Sequence, residues 1–428
     1  MLDSSQMIAL ILKLLPIKIT DQKELLDQTF MTLEAGFRAL SGAVIVLSIG
    51  LKMGPGDVVF YGVMLVQATF IWMFLFLFFD RRLVAKFAAN PEAAWVYMLR
   101  WLIIYLVSSF ALGLTLFAFE VEGAFLLLCL VSGMSWHFFD WYLKTRKDYK
   151  TASILKILIL AIGFAAKMAS IFIFNMSSEF VLWLTVLEFF LVWLALWMRS
   201  QMLAESDQRE SRGESREYAL GQFLQIAMGG WLSTFLMQWP MLLGENLASE
   251  KILASFYILS RFYDAGTILA NQMSIRMYVK YSSGQVIHFK LRRKYIKSMF
   301  FTYALSTVAT ILALPVLIYF SILSYEALAV AVCLSMAYFP YFMTSFRNSW
   351  YLANKEFSAV TVHGLTCAVA FLALFLSLKT VNPEMPDSYF LLLILFSRFL
   401  PAFVPLLSKP GRHFLAWQYG PFFQERNA

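Results

Sequence analysis

Twelve times along its 428 residues the chain runs for about twenty residues with scarcely a charge. A bilayer core roughly 30 Å thick takes about 20 helical residues to cross, so each run is long enough to span it. The spans lie near 29–50, 58–79, 95–118, 122–142, 152–174, 179–199, 218–243, 252–275, 296–320, 325–346, 357–378 and 388–407. With 60% hydrophobic and 14% charged residues the chain is far too apolar for a soluble multidomain protein. Lipid offers nothing to an unpaired backbone amide, so the expected class is an all-α polytopic membrane protein.

Lys and Arg are retained on the cytoplasmic side, which makes their distribution an orientation signal. With the N-terminus inside, 27 of the 35 basic residues fall in segments on one side, from Lys13 to Arg426. The opposite loops hold Lys52, Lys251 and Lys379 against nine acids, among them Asp57, Glu250 and Asp387. Both termini are therefore expected in the cytoplasm of a cell whose inner membrane holds the chain. The net charge of +8 is spread loop by loop, which suits anionic lipid headgroups and gives no nucleic-acid patch. The N-terminal MIALILKLLPI is too short to span and lacks a small-residue cleavage site; it reads as an interfacial helix. Cys129, Cys333 and Cys367 lie in apolar runs, and the four histidines lack metal-ligand spacing, so neither disulfide nor metal is expected.

One segment occurs twice. WYLKTRKDYKTA at 141–152 returns as WYLANKEFSAV at 350–360 once a one-residue gap is allowed, after spans 4 and 10. Phe60-Tyr61 and Phe256-Tyr257 echo one another at the starts of spans 2 and 8, with Arg81 and Arg276 at the far ends. Repeats six spans apart keep the same orientation, so two parallel six-helix bundles around a central cavity are expected. The corresponding division is an N-terminal segment 1–28, a first bundle 29–199, a polar linker 200–217, a second bundle 218–407 and a cytoplasmic tail 408–428.

The twelve spans, the LKMGPGDVVFYGV turn, the basic LKTRKDYKTASILKIL and the cationic YVKYSSGQVIHFKLRRKYIK together resemble the polysaccharide flippases, O-antigen type, of the multidrug/oligosaccharidyl-lipid/polysaccharide exporter superfamily. The resemblance implies alternating-access translocation of an undecaprenyl-pyrophosphate-linked oligosaccharide. It also implies membrane lipids, a polysaccharide polymerase and a chain-length regulator as partners.

Charges within spans are costly and need partners, water or a function. Arg38, Arg261 and Arg398 lie about ten residues into their spans and are the leading substrate-binding candidates; a guanidinium suits a pyrophosphate or uronate because its planar fork donates paired hydrogen bonds. Lys167 is a further candidate, with snorkelling as its plain alternative, which is also the reading for Arg100. Glu34 stands one turn before Arg38, and Asp264 three residues after Arg261, on the same helix faces. Each pair is either a structural ion pair or a site whose arginine is released to a ligand. Glu188, alone in span 6, is a candidate for ion coupling or an interhelical hydrogen bond. Pro401 and Pro405 follow Arg398 and are expected to break span 12.

Outer loops too short for a donor–acceptor platform argue against a polymerase or ligase, so no enzyme is expected. No GxxxxGK[ST] occurs, which leaves an H⁺ or Na⁺ gradient and no cofactor. The closer rival is an ion-coupled multidrug antiporter of the same superfamily. Against Arg38, Lys167, Arg261 and Arg398 stand Glu34, Glu188 and Asp264, a cationic excess of one. The charge split makes a direct prediction: impermeant thiol labels at 205–215 and at the C-terminus react from the cytoplasm alone, and labels near 246 or 383 from outside alone. External labelling of 205–215 would overturn the orientation and the parallel repeat.

Overall fold

A computed structural model of the chain describes residues 22–76, 91–121, 123–146, 148–206, 220–282, 289–344, 346–347, 350–351, 354 and 356–424. Their helices are α1 Gln22–Lys52, α2 Pro55–Phe76, α3 Pro91–Ala118, α4 Ala124–Gly133, α5 Trp136–Thr145, α6 Tyr149–Phe172, α7 Ser178–Ser206, α8 Leu220–Leu243, α9 Glu250–Ser282, α10 Phe289–Tyr319, α11 Ala327–Thr344, α12 Phe357–Val381, α13 Asp387–Phe403 and α14 Lys409–Gln424. No strand occurs among the described residues. Nine helical stretches there are long and apolar enough to cross a membrane.

Why such helices need lipid is plain on α3. Met98, Leu102, Tyr105 and Ser109 follow one another at helical spacing on its buried face, while Ile103, Val107, Phe110 and Leu114 line an exposed one. A helix apolar on both faces packs on protein with one and on acyl chains with the other.

Three boundaries depart from the sequence reading. Span 4 is two helices, because the ladder is interrupted at Met134-Ser135 between α4 and α5. α7 runs on to Ser206, so the first residues of the expected linker 200–217 are helical; 207–219 lie outside the described residues. The tail expected at 408–428 forms α14. The interfacial-helix reading of the N-terminal run, and Arg81 of the weaker repeat, lie outside the described residues.

α1 packs on α6, α6 on α7 and α5 on α7; in the second half α8 packs on α12, and α11 on α13 and α9. The halves meet where α1 and α2 face α8 and α9. The contact is close at the end carrying the acidic loops, called here the acidic end; the other is the basic end. A side chain at Gly56 of α2 would come within 2.7 Å of the Glu250 carboxylate of α9, and one at Gly62 within 2.8–2.9 Å of Met241 and Tyr257. Gly54, at φ +106, makes the turn between α1 and α2 that aligns this seam.

The duplicated segment repeats in backbone detail. The Arg146 amide donates to the Tyr142 carbonyl and the Asp148 amide to Leu143; 208 residues later Asn354 donates to Trp350 and Glu356 to Tyr351. Asp148 and Glu356 then start α6 and α12 with nearly the same backbone angles, φ −92, ψ 45 and φ −85, ψ 53. The structural register differs from the lettered one: Trp350 takes the place of Tyr142 and Tyr351 that of Leu143, so the gap precedes the tryptophan. Serine–aspartate clasps repeat too. Ser178 at the start of α7 donates to Asp57 of α2, and Ser249 donates to Asp387 at the start of α13, with the residue types exchanged.

Candidate functional site

Among the described residues, the charged side chains that the spans bury form three groups, with Arg347 apart from them on the Pro401 carbonyl. The first is an alternating chain in the first half, across α1, α5 and α6. Arg38 binds Glu34 Oε1; Glu34 Oε2 takes Lys156 Nζ at 2.6 Å and the Ser153 hydroxyl at 3.2 Å. Lys156 also binds Asp140 Oδ1, and Asp140 Oδ2 binds Lys144 Nζ at 2.7 Å. The order is therefore Arg38, Glu34, Lys156, Asp140, Lys144, plus to minus to plus throughout, with a cation at either end. Lys156, at the centre, is 2% exposed, whereas the terminal Arg38 side chain is 38% exposed.

Sequence reasoning had placed Lys144 and Lys156 among the loop charges and passed over Asp140. Asp140 is an acid inside span 4, and Lys156 lies four residues into span 5, each a buried-charge signal by the same rule that selected Glu34. An apolar interior returns the desolvation of such ions only when their remaining hydrogen bonds are satisfied, and this alternation uses every carboxylate oxygen of Glu34 and Asp140.

Aromatic rings crowd the chain. Trp136 lies 5.1 Å from the Arg38 guanidinium and 5.8 Å from Lys156 Nζ, and it stacks on His137 at 3.6 Å. Trp72 of α2 covers His137 at 4.3 Å, and Lys144 sits 5.0 Å over Trp141. These residues, with Met31 and Ala35, enclose a pocket of about 220 Å³.

The second group is one ion pair. Lys167 of α6 and Glu188 of α7, both buried, lie 2.9 Å apart. Gly163 makes room for it, since a Cβ there would stand 2.1 Å from Glu188 Oε2. Glu188, solitary in its own span, thus has a partner on the next helix, and Lys167 is engaged rather than snorkelling. Arg100 is exposed.

The third group lies in the second half. Arg261 of α9 reaches Asp264 at 3.4 Å and lies 4.0 Å over the Tyr257 ring. Tyr338 of α11 donates to Asp264 at 3.2 Å, and its ring lies 5.1 Å from the Arg398 guanidinium. Arg398 is 3% exposed. It donates to the Met237 carbonyl of α8 and touches that residue's sulfur; no carboxylate pairs with it among the described residues, and its Nε has no acceptor. At α13 the local backbone frees a carbonyl: Pro405 has no N–H to give Pro401 four residues earlier, and Arg347 serves it. α13 ends at Phe403 with a short 3₁₀ turn over Val404–Leu407, so Pro401 is accommodated and the break comes at Pro405.

Arg38 therefore lies with one cluster, Lys167 with a second, and Arg261 and Arg398 with a third. The described contacts do not join Arg38 to the other two arginines. Adding Lys144 and Lys156 to the four basic candidates, and Asp140 to the three acids, raises the cationic excess from one to two.

No family model and no curated protein matches the sequence. Solved structures do match its shape. A mutant of the Vibrio cholerae MATE transporter VcmN aligns over 94% of this chain and 99% of its own, at 14% identity and a TM-score of 0.58. An outward-facing multidrug resistance MATE family transporter of the MOP superfamily aligns over the same shares, at 14% identity and 0.55. A MATE in a bent conformation covers 95% and 97%, at 14% and 0.51. The chain has the fold of these transporters, twelve transmembrane helices in two bundles.

The Lys167–Glu188 pair yields a quantitative expectation. Removing one partner of a buried pair costs about 3–5 kcal/mol, while replacing both by apolar residues is often neutral. Lys167→Met lowers the thermal stability of the purified protein, and the Lys167→Met/Glu188→Met double variant recovers most of the loss. A single variant as stable as the parent would show that the pair contributes nothing.

Proposed function

We propose that the chain is an alternating-access membrane transporter that moves an amphipathic anion, a lipid-linked oligosaccharide borne on a pyrophosphate, from the basic-end face to the acidic-end face. The observation behind this reading is Arg398: a buried guanidinium held by a carbonyl and an aromatic face, without a carboxylate among the described residues. Such a cation carries an unneutralised charge in a dry site, and an arriving phosphate or uronate supplies the missing partner. Arg261 lies in the same cluster at 26% side-chain exposure, its bond to Asp264 long enough at 3.4 Å to be exchanged for a ligand's oxyanion. Lys167, engaged by Glu188, contributes field, and Arg38, bonded to Glu34, stands in the first half apart from this cluster.

Ion coupling falls to Asp264 in this reading. Glu34 and Glu188 are each clamped by a cation, whereas Asp264 is the most open of the three, at 41% side-chain exposure. An H⁺ or Na⁺ gradient would drive the cycle through that carboxylate, with no organic cofactor. The same proposal places the chain in a bacterial inner membrane with both termini cytoplasmic, in contact with its lipids, and working with a polysaccharide polymerase and a chain-length regulator.

A second reading is an ion-coupled multidrug antiporter. The fold comparisons favour it, since one of the matched structures is described as a multidrug resistance transporter; the net charge of the buried groups favours an anionic cargo. Two measurements separate them. On the first reading, Arg398→Ala cuts lipid-linked sugar flipping per molecule by at least about tenfold at near-normal abundance, equivalent to about 1.4 kcal/mol. Arg398→Lys restores only part of it, because the paired fork is lost. Full flipping by Arg398→Ala, or energised efflux of cationic dyes with no effect on surface polysaccharide, would transfer the conclusion to the antiporter.

A further inference from the structure

The pocket in the first half is apart from Arg398 and is built for a different part of a ligand. Trp72, Trp136 and Trp141 line it with His137, and the two terminal cations of the ion chain, Arg38 and Lys144, line it too. The indole N–H groups of Trp72 and Trp136 are buried without an acceptor among the described residues, and Trp136 is 5% exposed. Unsatisfied donors of this kind are uncommon in folded proteins, because each forfeits a hydrogen bond it made to water. Neither acid bonds them: the oxygens of Glu34 and Asp140 are turned to Arg38, Lys156, Ser153 and Lys144.

We infer that this pocket is a binding subsite for an anionic pyranose, a sugar phosphate or sugar acid. Indole faces receive the apolar C–H face of a sugar ring, while the waiting N–H groups meet its oxygens. Arg38 and Lys144 stand at the two ends of a chain with one cation in excess, and the guanidinium retains donors beyond the one given to Glu34. A cationic amphiphile would meet charge of its own sign there. The inference rests on the saccharide reading of the cargo and extends it: the sugar is held in the first half, and the anion that Arg398 receives lies in the second.

Binding of a soluble probe tests it without any transport step. The purified full chain in nanodiscs is titrated calorimetrically with glucose 1-phosphate, and in parallel with glucose, inorganic phosphate and benzoate. Saturable binding is expected for glucose 1-phosphate, at least about tenfold tighter than for any of the other three. Trp136→Ala, Trp141→Leu and Lys144→Gln each weaken it by a similar factor, while Arg100→Gln, on the exposed face of α3, binds as the parent does. Should Trp136→Ala fail to fold, the two variants nearer the rim decide the matter. Absence of saturable binding to monodisperse parent protein, equal affinity for phosphate or benzoate alone, or unchanged affinity in Trp141→Leu and Lys144→Gln would overturn the subsite. Retained probe binding alongside full flipping by Arg398→Ala would leave the pocket standing and remove the Arg398 reading, so the two fail separately.

Discussion

Glu34 is the residue on which the first half turns. Its two carboxylate oxygens bind Arg38 one turn along α1 and Lys156 across on α6, and through Lys156 the link reaches Asp140 on α5. An ion stripped of water costs several kcal/mol, and its neighbours must return that cost through geometry. Five charges in strict alternation do so while leaving one cation uncompensated. The same arrangement thus fixes three helices and sets a positive potential in the pocket they share.

The second half solves the equivalent problem without charge. Counting 208 residues on from α6, Lys156 corresponds to Gly364 and Ser153 to Thr361. α12 then packs on α8 as α6 packs on α1, but by close approach: a Cβ on Gly364 would stand 3.2 Å from the Gly229 carbonyl. The Thr361 hydroxyl donates to the Gln225 carbonyl at 2.6 Å, where Ser153 donates to the Glu34 side chain. A helix pair held by ions in one half is held by glycine on glycine in the other. The duplication preserved the scaffold and let the chemistry diverge, which places the uncompensated Arg398 in a half free of any ion chain among its described residues.

Much of the architecture was legible because lipid imposes one strong rule. A run of about twenty apolar residues has to be a helix, and the loops between such runs sort by charge, so the spans and the six-span repeat could be read directly. Details decided by local backbone chemistry were not legible: the interruption at Met134-Ser135, the one-residue shift that sets Trp350 against Tyr142, and the continuation of α7 into the linker. Among the charges, pairs along one helix could be read from spacing, as Glu34 with Arg38 and Arg261 with Asp264. Pairs across helices could not, since Lys167 and Glu188 are 21 residues apart and Lys156 and Glu34 still further. Asp140 carries the same buried-charge signal, being an acid inside span 4 near its basic end.

Both readings of function require the seam at the acidic end to open. There Gly56 of α2 faces the Glu250 carboxylate of α9 across the seam, one residue from each half. Replacing Gly56 and Glu250 by cysteine, in a background lacking the three native cysteines, and oxidising the pair would bolt the halves together. Substrate translocation in proteoliposomes, measured before and after reduction, tests alternating access most directly. The account predicts transport abolished in the oxidised protein and restored by reductant. Equal transport by the fully cross-linked protein would contradict it.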